Sequence, residues 1–255
     1  MKKLEVFDPG NQYLVNWALV YDTLGINSVK VRKAMGNTPM PANLWDLLFK
    51  PEYISKLSKC GVTIIDSPSE IIPQALVYLG KNPYSGEQED YVEVDKLLKS
   101  IRPYVTRISA SGHIDDLANG SICMAFAYSG DMNIARKRAI DNKTGQDVVP
   151  LLPKSDLILE PDSMAIPVDA KNVKNVYLFI NYMLRPEVQV TTTNVMLFPT
   201  ANQAALKLIN PDLEKDGYVF PNHEQLDGMD IARRPNLLVN RLQTRSFTRF
   251  KTDNY

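Results

Sequence analysis

A chain of 255 residues with 44% hydrophobic side chains has enough apolar surface for one large or two medium domains. Lysine plus arginine and aspartate plus glutamate both number 29, so the formal charge is zero and no global field draws the protein onto nucleic acid or an anionic membrane. No apolar run approaches the roughly 20 residues of a bilayer span, and Met1-Lys2-Lys3-Leu4-Glu5-Val6 reads as carrying no signal peptide.

Residues 4–26 read as connecting backbone, with a turn at Asp8-Pro9-Gly10-Asn11 and an apolar, aromatic-rich run over 13–26 suited to a strand or two. Residues 28–35 form a helix capped by Ser28 and closed by Gly36. Leu44-Trp45-Asp46-Leu47-Leu48 opens another that Lys50-Pro51 breaks, with Trp45 in the core. Val62-Thr63-Ile64-Ile65-Asp66 is a strand. Ser67-Pro68-Ser69-Glu70 then starts a helix as a capping box, which gives Glu70 a structural explanation. A helix comes next over 91–101, then a strand over 105–108 and a helix over 113–118 that ends at Asn119-Gly120.

Ile122-Cys123-Met124-Ala125-Phe126-Ala127 is an apolar run that changes at Tyr128-Ser129-Gly130-Asp131 into the make-up of a strand end entering a loop. Ligands of open α/β sheets sit beyond the carboxyl ends of strands, so Tyr128 and Asp131 offer an aromatic face beside an anion, a pair suited to a cation. The structural alternative is a core strand with Asp131 as N-cap of a helix over 132–138. The alternation of strands and helices predicts an α/β unit with a largely parallel sheet. Beyond it, 147–153 and 157–167 are extended, and the second drops Glu160 and Asp162 into an apolar context. An amphipathic helix over 173–184 stops at Arg185-Pro186, and Pro186 opens the next. Phe198-Pro199-Thr200-Ala201-Asn202 is a turn, 203–208 a helix, and the rest helical or irregular. The two cysteines, Cys60 and Cys123, belong to no metal spacing and are either buried thiols or one bridge.

Taken together these stretches resemble the periplasmic putrescine- and spermidine-binding proteins that deliver polyamines to ABC importers. The resemblance runs almost end to end, and it rests on the order and spacing of short motifs. They are Phe7-Asp8-Pro9 through Gly25-Ile26-Asn27, Trp45-Asp46-Leu47, Cys60-Gly61-Val62, Tyr78-Leu79-Gly80, Asp116-Leu117-Ala118-Asn119-Gly120, Ser129-Gly130-Asp131, Ile166-Pro167-Val168-Asp169-Ala170-Lys171-Asn172, Asn181-Tyr182-Met183-Leu184-Arg185-Pro186 and Thr244-Arg245-Ser246-Phe247-Thr248. The resemblance implies a type II periplasmic binding protein fold, α/β, with two lobes and crossing hinge strands. Residues 1–20 and 160–200 would belong to a first lobe lacking its N-terminal portion, 21–159 to the second lobe, and 201–255 to a C-terminal helical segment packing on the lobes.

It further implies a ligand set of Glu70, Tyr128, Asp131, Glu160, Asp162 and Phe198. Tyr128 and Phe198 stand where the family usually shows tryptophan and tyrosine, and Glu160 stands where it usually has a large aromatic. Such a site takes a polyamine as its ligand and needs neither cofactor, metal nor catalytic residue. The partners implied are ABC permease subunits, with a monomeric protein in the periplasm, no nucleic acid and no direct membrane insertion. Some putrescine-binding members carry a disulfide at the positions of Cys60 and Cys123, so a bridge is expected here.

Separated anions and apolar walls are what a diamine requires, because it has an ammonium at each end and methylenes between. Alternatives are a binding protein for another cation such as a basic amino acid, a truncated remnant without ligand, and a hydrolase using two carboxylates. A thiol nucleophile pairing Cys60 or Cys123 with His113 or His223 is a further alternative. Arg233-Arg234, Arg241, Arg245, Arg249 and Lys251, interleaved with Phe247 and Phe250, could bind nucleic acid or form a solvated face of a covering helix.

Overall fold

The computed structural model describes residues 8–253, without the side chain of His223. The chain forms two units: residues up to Tyr21 with Ile158–Arg234 make unit 1, and Asp22–Leu157 with residues from Pro235 onward make unit 2. Residues 201–234 thus lie with unit 1. The thirteen-residue strand β1 (Val15–Asn27) contributes to both units, and from Val20 on every one of its residues is buried.

In unit 2 the chain leaves β1 into α1 (Ser28–Met35), α2 (Asp46–Phe49), α3 (Pro51–Leu57) and β2 (Val62–Ile64). It continues through α4 (Pro68–Tyr78), α5 (Gln88–Ile101), β3 (Arg107–Ile108), α6 (His113–Asn119), β4 (Met124–Tyr128), α7 (Ser129–Asp141) and β5 (Val148–Pro150). Helical crossovers make β2 parallel to both β3 and β4. The end of β1 runs antiparallel to β4 and to β5, so the sheet is mixed and the largely parallel expectation fails there. The cause is the path of β1, which enters this sheet from unit 1 and not through a crossover helix.

Local signals explain most boundaries. Asn27 caps α1 by accepting from the Lys30 backbone N–H at 3.1 Å, one residue earlier than the expected Ser28 cap. Gly25 lets β1 approach α7, since a side chain there would collide with the thioether of Met132. Trp45 is fully buried among rings, 6.1 Å from Phe126 and 6.4 Å from Phe49 between centroids. Its indole N–H donates to the Ser155 carbonyl.

Unit 1 pairs the first half of β1 antiparallel with β6 (Ile158–Met164), from Val15 opposite Met164 to Tyr21 opposite Leu159. Helices α8 (Val173–Met183), α9 (Pro186–Met196), α10 (Gln203–Leu206), α11 (Pro211–Glu214) and α12 (His223–Gly228) come next, and β7 (Asp230–Ile231) adds parallel to β6. The periodicity of α8 is amphipathic as expected, yet only Ile180 is buried, while Tyr177, Leu178, Phe179 and Tyr182 are more than half exposed.

The chain ends in α13 (Leu237–Thr252), capped by Asn236, which packs on α4 and α5 of unit 2. Phe247 and Phe250 are buried beneath it, and the Arg102 guanidinium donates to the Phe250 carbonyl at 2.8 Å. Arg249 pairs with Asp95 at 2.5 Å and Lys251 with Asp66 at 2.6 Å. Two of the basic residues that could have met nucleic acid thus hold this helix onto its own unit. Among the described residues no helix is long and apolar enough to cross a membrane.

Cys60 and Cys123 form a disulfide with Cα atoms 5.4 Å apart. Each precedes a strand, and those strands pair at once, Val62 opposite Met124. Closing a loop of 63 residues stabilises the fold by about 4 kcal/mol in the chain-entropy model. Replacing both cysteines by serine should therefore lower the unfolding free energy by a few kcal/mol, about 4 at most. Urea titration of both proteins, with and without reductant, checks this; a reductant-insensitive midpoint in the unmodified protein would contradict it.

Candidate functional site

Parallel strands β2 and β4 end at one edge of the unit 2 sheet, and the helices that begin there place their first turns where ligands of α/β proteins sit. After β2 comes Glu70, in the first turn of α4; after β4 come Tyr128, at the N-cap position of α7, and Asp131 in its first turn. Both carboxylates therefore stand where a helix favours negative charge.

Glu70 is 6% exposed. Its Oε1 accepts from the hydroxyls of Ser67 at 3.2 Å, Ser69 at 2.9 Å and Tyr128 at 3.4 Å. The capping box expected at Ser67 does not form, because its hydroxyl donates to the Glu70 carboxylate and makes no bond to the helix backbone. Glu70 Oε2 is buried and has no hydrogen-bond partner among the described residues. Its donors among the described residues are all neutral hydroxyls. A dry carboxylate without a cation or a full set of donors costs several kcal/mol, so packing alone does not explain it.

Asp131 is held differently. Its Oδ2 lies 2.7 Å from His113 Nε2, and His113 is 3% exposed at the start of α6. The preceding Gly112 has φ +91°, a conformation only glycine adopts freely, and it turns the chain into that helix. His113 Nδ1 is buried without a partner among the described residues, as is Ser129 Oγ beside Tyr128. The imidazole fixes the orientation of the carboxylate. Sequence reasoning considers His113 only as a thiol partner, and the disulfide leaves neither cysteine free for that role.

Sequence reasoning also missed Asp22. This residue is 3% exposed, stands opposite Tyr128 in the β1–β4 register, and brings a carboxylate oxygen within 4.8 Å of one from Glu70. The signal was available, since Asp22 is the only acidic residue in the apolar run over 13–26.

In unit 1, Glu160 and Asp162 are two residues apart on β6, so their side chains leave one face of the strand. Glu160 stands opposite Val20 and is half-buried; Asp162 stands opposite Ala18 and is exposed. Phe198 is buried and lines a narrow recess with Trp17, Gln189 and Thr193. It comes after Leu197, a non-glycine residue at φ 53° that ends α9. Tyr21 donates to the Tyr218 carbonyl at 3.3 Å, and burial, together with the charge of Asp216, pushes its phenol well above the ordinary range. In sum, Glu70 and Tyr128 touch, Asp131 is tethered to His113, and Glu160 and Asp162 share a strand face.

Residues 1–220 match the model of the bacterial extracellular solute-binding protein family. The putrescine-binding periplasmic protein of Pseudomonas aeruginosa is 38% identical over 252 residues, covering 99% of this chain and 68% of that protein. The putrescine-binding periplasmic protein of Escherichia coli is 34% identical over 254 residues, with the same two coverages of 99% and 68%. Among solved structures, the spermidine/putrescine transporter substrate-binding protein of Streptococcus pneumoniae aligns with a TM-score of 0.75 at 21% identity, over 97% of this chain and 71% of that one. The fold is that of type II periplasmic binding proteins.

The isolation of the Glu70 charge has a measurable effect on stability. Glu70→Gln keeps an acceptor for the three hydroxyls and removes the charge, so it should raise the unfolding free energy of the ligand-free protein by about 1 kcal/mol. Urea unfolding checks this, and a loss of stability would mean that the carboxylate is held for structural reasons.

Proposed function

The chain belongs to the bacterial extracellular solute-binding protein family, and we propose that it captures a polyamine, putrescine or spermidine, in the periplasm. As a monomer it then hands the solute to the permease subunits of an ABC importer. The observation that carries this reading is Glu70, a buried carboxylate whose donors among the described residues are all neutral, in contact with the ring-bearing Tyr128. An ammonium supplies the missing positive charge and N–H donors, and an aromatic face adds about 0.5 to 2 kcal/mol for each cation–π contact with it while covering the adjacent methylenes. The names of the relatives support the solute class.

Glu70, Tyr128 and Asp131 of unit 2 and Glu160, Asp162 and Phe198 of unit 1 are the residues proposed to hold the solute. Four carboxylates exceed the charge of a putrescine dication, and Glu160 places an anion where a ring would cover hydrocarbon. This composition favours the triamine spermidine over putrescine. A basic amino acid is the second reading that the carboxylate excess supports.

Calorimetric titration with putrescine, spermidine and arginine separates these readings: saturable binding is expected for the polyamines, tighter for spermidine. Asp131→Asn should weaken polyamine binding by more than about 2 kcal/mol, since in the proposed complex it removes the anion that meets an ammonium shielded from water. A smaller loss would remove Asp131 from the site. Glu160→Trp should raise putrescine affinity relative to spermidine, and an unchanged ratio would show that Glu160 does not meet the solute.

A further inference from the structure

Asp22 is absent from the proposed set of solute-binding residues, yet its surroundings single it out. It lies on β1 opposite Tyr128, whose hydroxyl donates to Glu70, and its carboxylate is within 4.8 Å of that of Glu70. Both acids are more than nine-tenths buried, and Glu70 Oε2 has no hydrogen-bond partner among the described residues. Two anions at this spacing repel strongly in a medium of low polarity. The side chains bonded to Glu70, from Ser67, Ser69 and Tyr128, bring dipoles and no positive charge.

The spacing itself describes an occupant. A nitrogen about 2.8 Å from each of two such oxygens is seen by them at an angle of at most about 118°, close to the tetrahedral angle between two N–H bonds of an ammonium. We propose that Asp22 and Glu70 together seat one ammonium nitrogen of the solute, each accepting one of its N–H bonds. The seat selects for charged nitrogens that keep two or more hydrogens, primary or secondary, and against tertiary and quaternary ones. This inference rests on the polyamine reading and adds to it a residue and a rule of selection.

The test is calorimetric titration of the full chain, unmodified and as Asp22→Asn, with putrescine, with its N,N,N′,N′-tetramethyl derivative and with calcium chloride. The tetramethyl compound keeps chain length and charge while leaving one N–H on each nitrogen. Unmodified protein should bind putrescine about tenfold or more tightly than the derivative, and Asp22→Asn should weaken putrescine by about tenfold or more and narrow that preference. Putrescine binding by Asp22→Asn within about twofold of the unmodified chain overturns the seat and leaves the solute reading standing. So does calcium binding that Asp22→Asn abolishes while polyamine affinity is kept, which would assign the two acids to a metal. If Asp22→Asn does not fold by circular dichroism, the unmodified chain decides: equal affinity for putrescine and the derivative overturns the proposal. No polyamine binding by the unmodified chain rejects the solute reading itself, and the seat with it.

Discussion

A carboxylate kept dry among hydroxyls is the constraint around which unit 2 is organised. Glu70 gains from the start of α4 and from three O–H donors, and these are dipoles set against a full charge. Protein interiors seldom tolerate such an arrangement unless it serves binding, because an apolar or amide residue of the same volume would be less costly. The parts nearby cohere on that view. Ser67 gives up its capping role to donate to Glu70, Tyr128 turns its hydroxyl toward the same oxygen, and Asp22 is drawn in from a neighbouring strand.

Such a group needs a rigid frame, and the frame is built at the opposite strand ends. The disulfide joins the residues just before β2 and β4, so the two strands whose far ends supply Glu70 and Tyr128 start from a fixed spacing. Trp45 packs on Phe126 within β4, and Met132 of α7 fills the space that Gly25 leaves open. Side chains at the site inherit their positions from this packing. His113 adds a last restraint by holding the Asp131 carboxylate directly.

Much of this was readable from residue types. The helix and strand order came from periodicity, and the change from apolar run to Tyr128-Ser129-Gly130-Asp131 marked the strand end where Glu70 and Tyr128 do meet. What escaped was pairing between distant segments. Asn27 and Ser28 are both competent caps, and only the backbone decides which one faces the helix. β1 runs antiparallel to its neighbours because of where it comes from, which no local pattern encodes. Asp22 sat in plain view within an apolar run, but a lone acid in a strand has a partner only once register is known, and here register brings it opposite Tyr128. The α8 periodicity described a helix with an apolar side without describing what covers that side.

The path of the chain has a practical side. It passes from one unit to the other at Tyr21, at Leu157 and at Arg234, so neither unit corresponds to an uninterrupted stretch of gene. A clone stopping at Leu157 would lack α13, and with it the rings of Phe247 and Phe250 and the arginine and lysine that clasp Asp95 and Asp66. Anyone wishing to prepare the Glu70 half by itself must splice Pro235 and its successors back on by a designed linker, since truncation would expose a hydrophobic groove along α4 and α5.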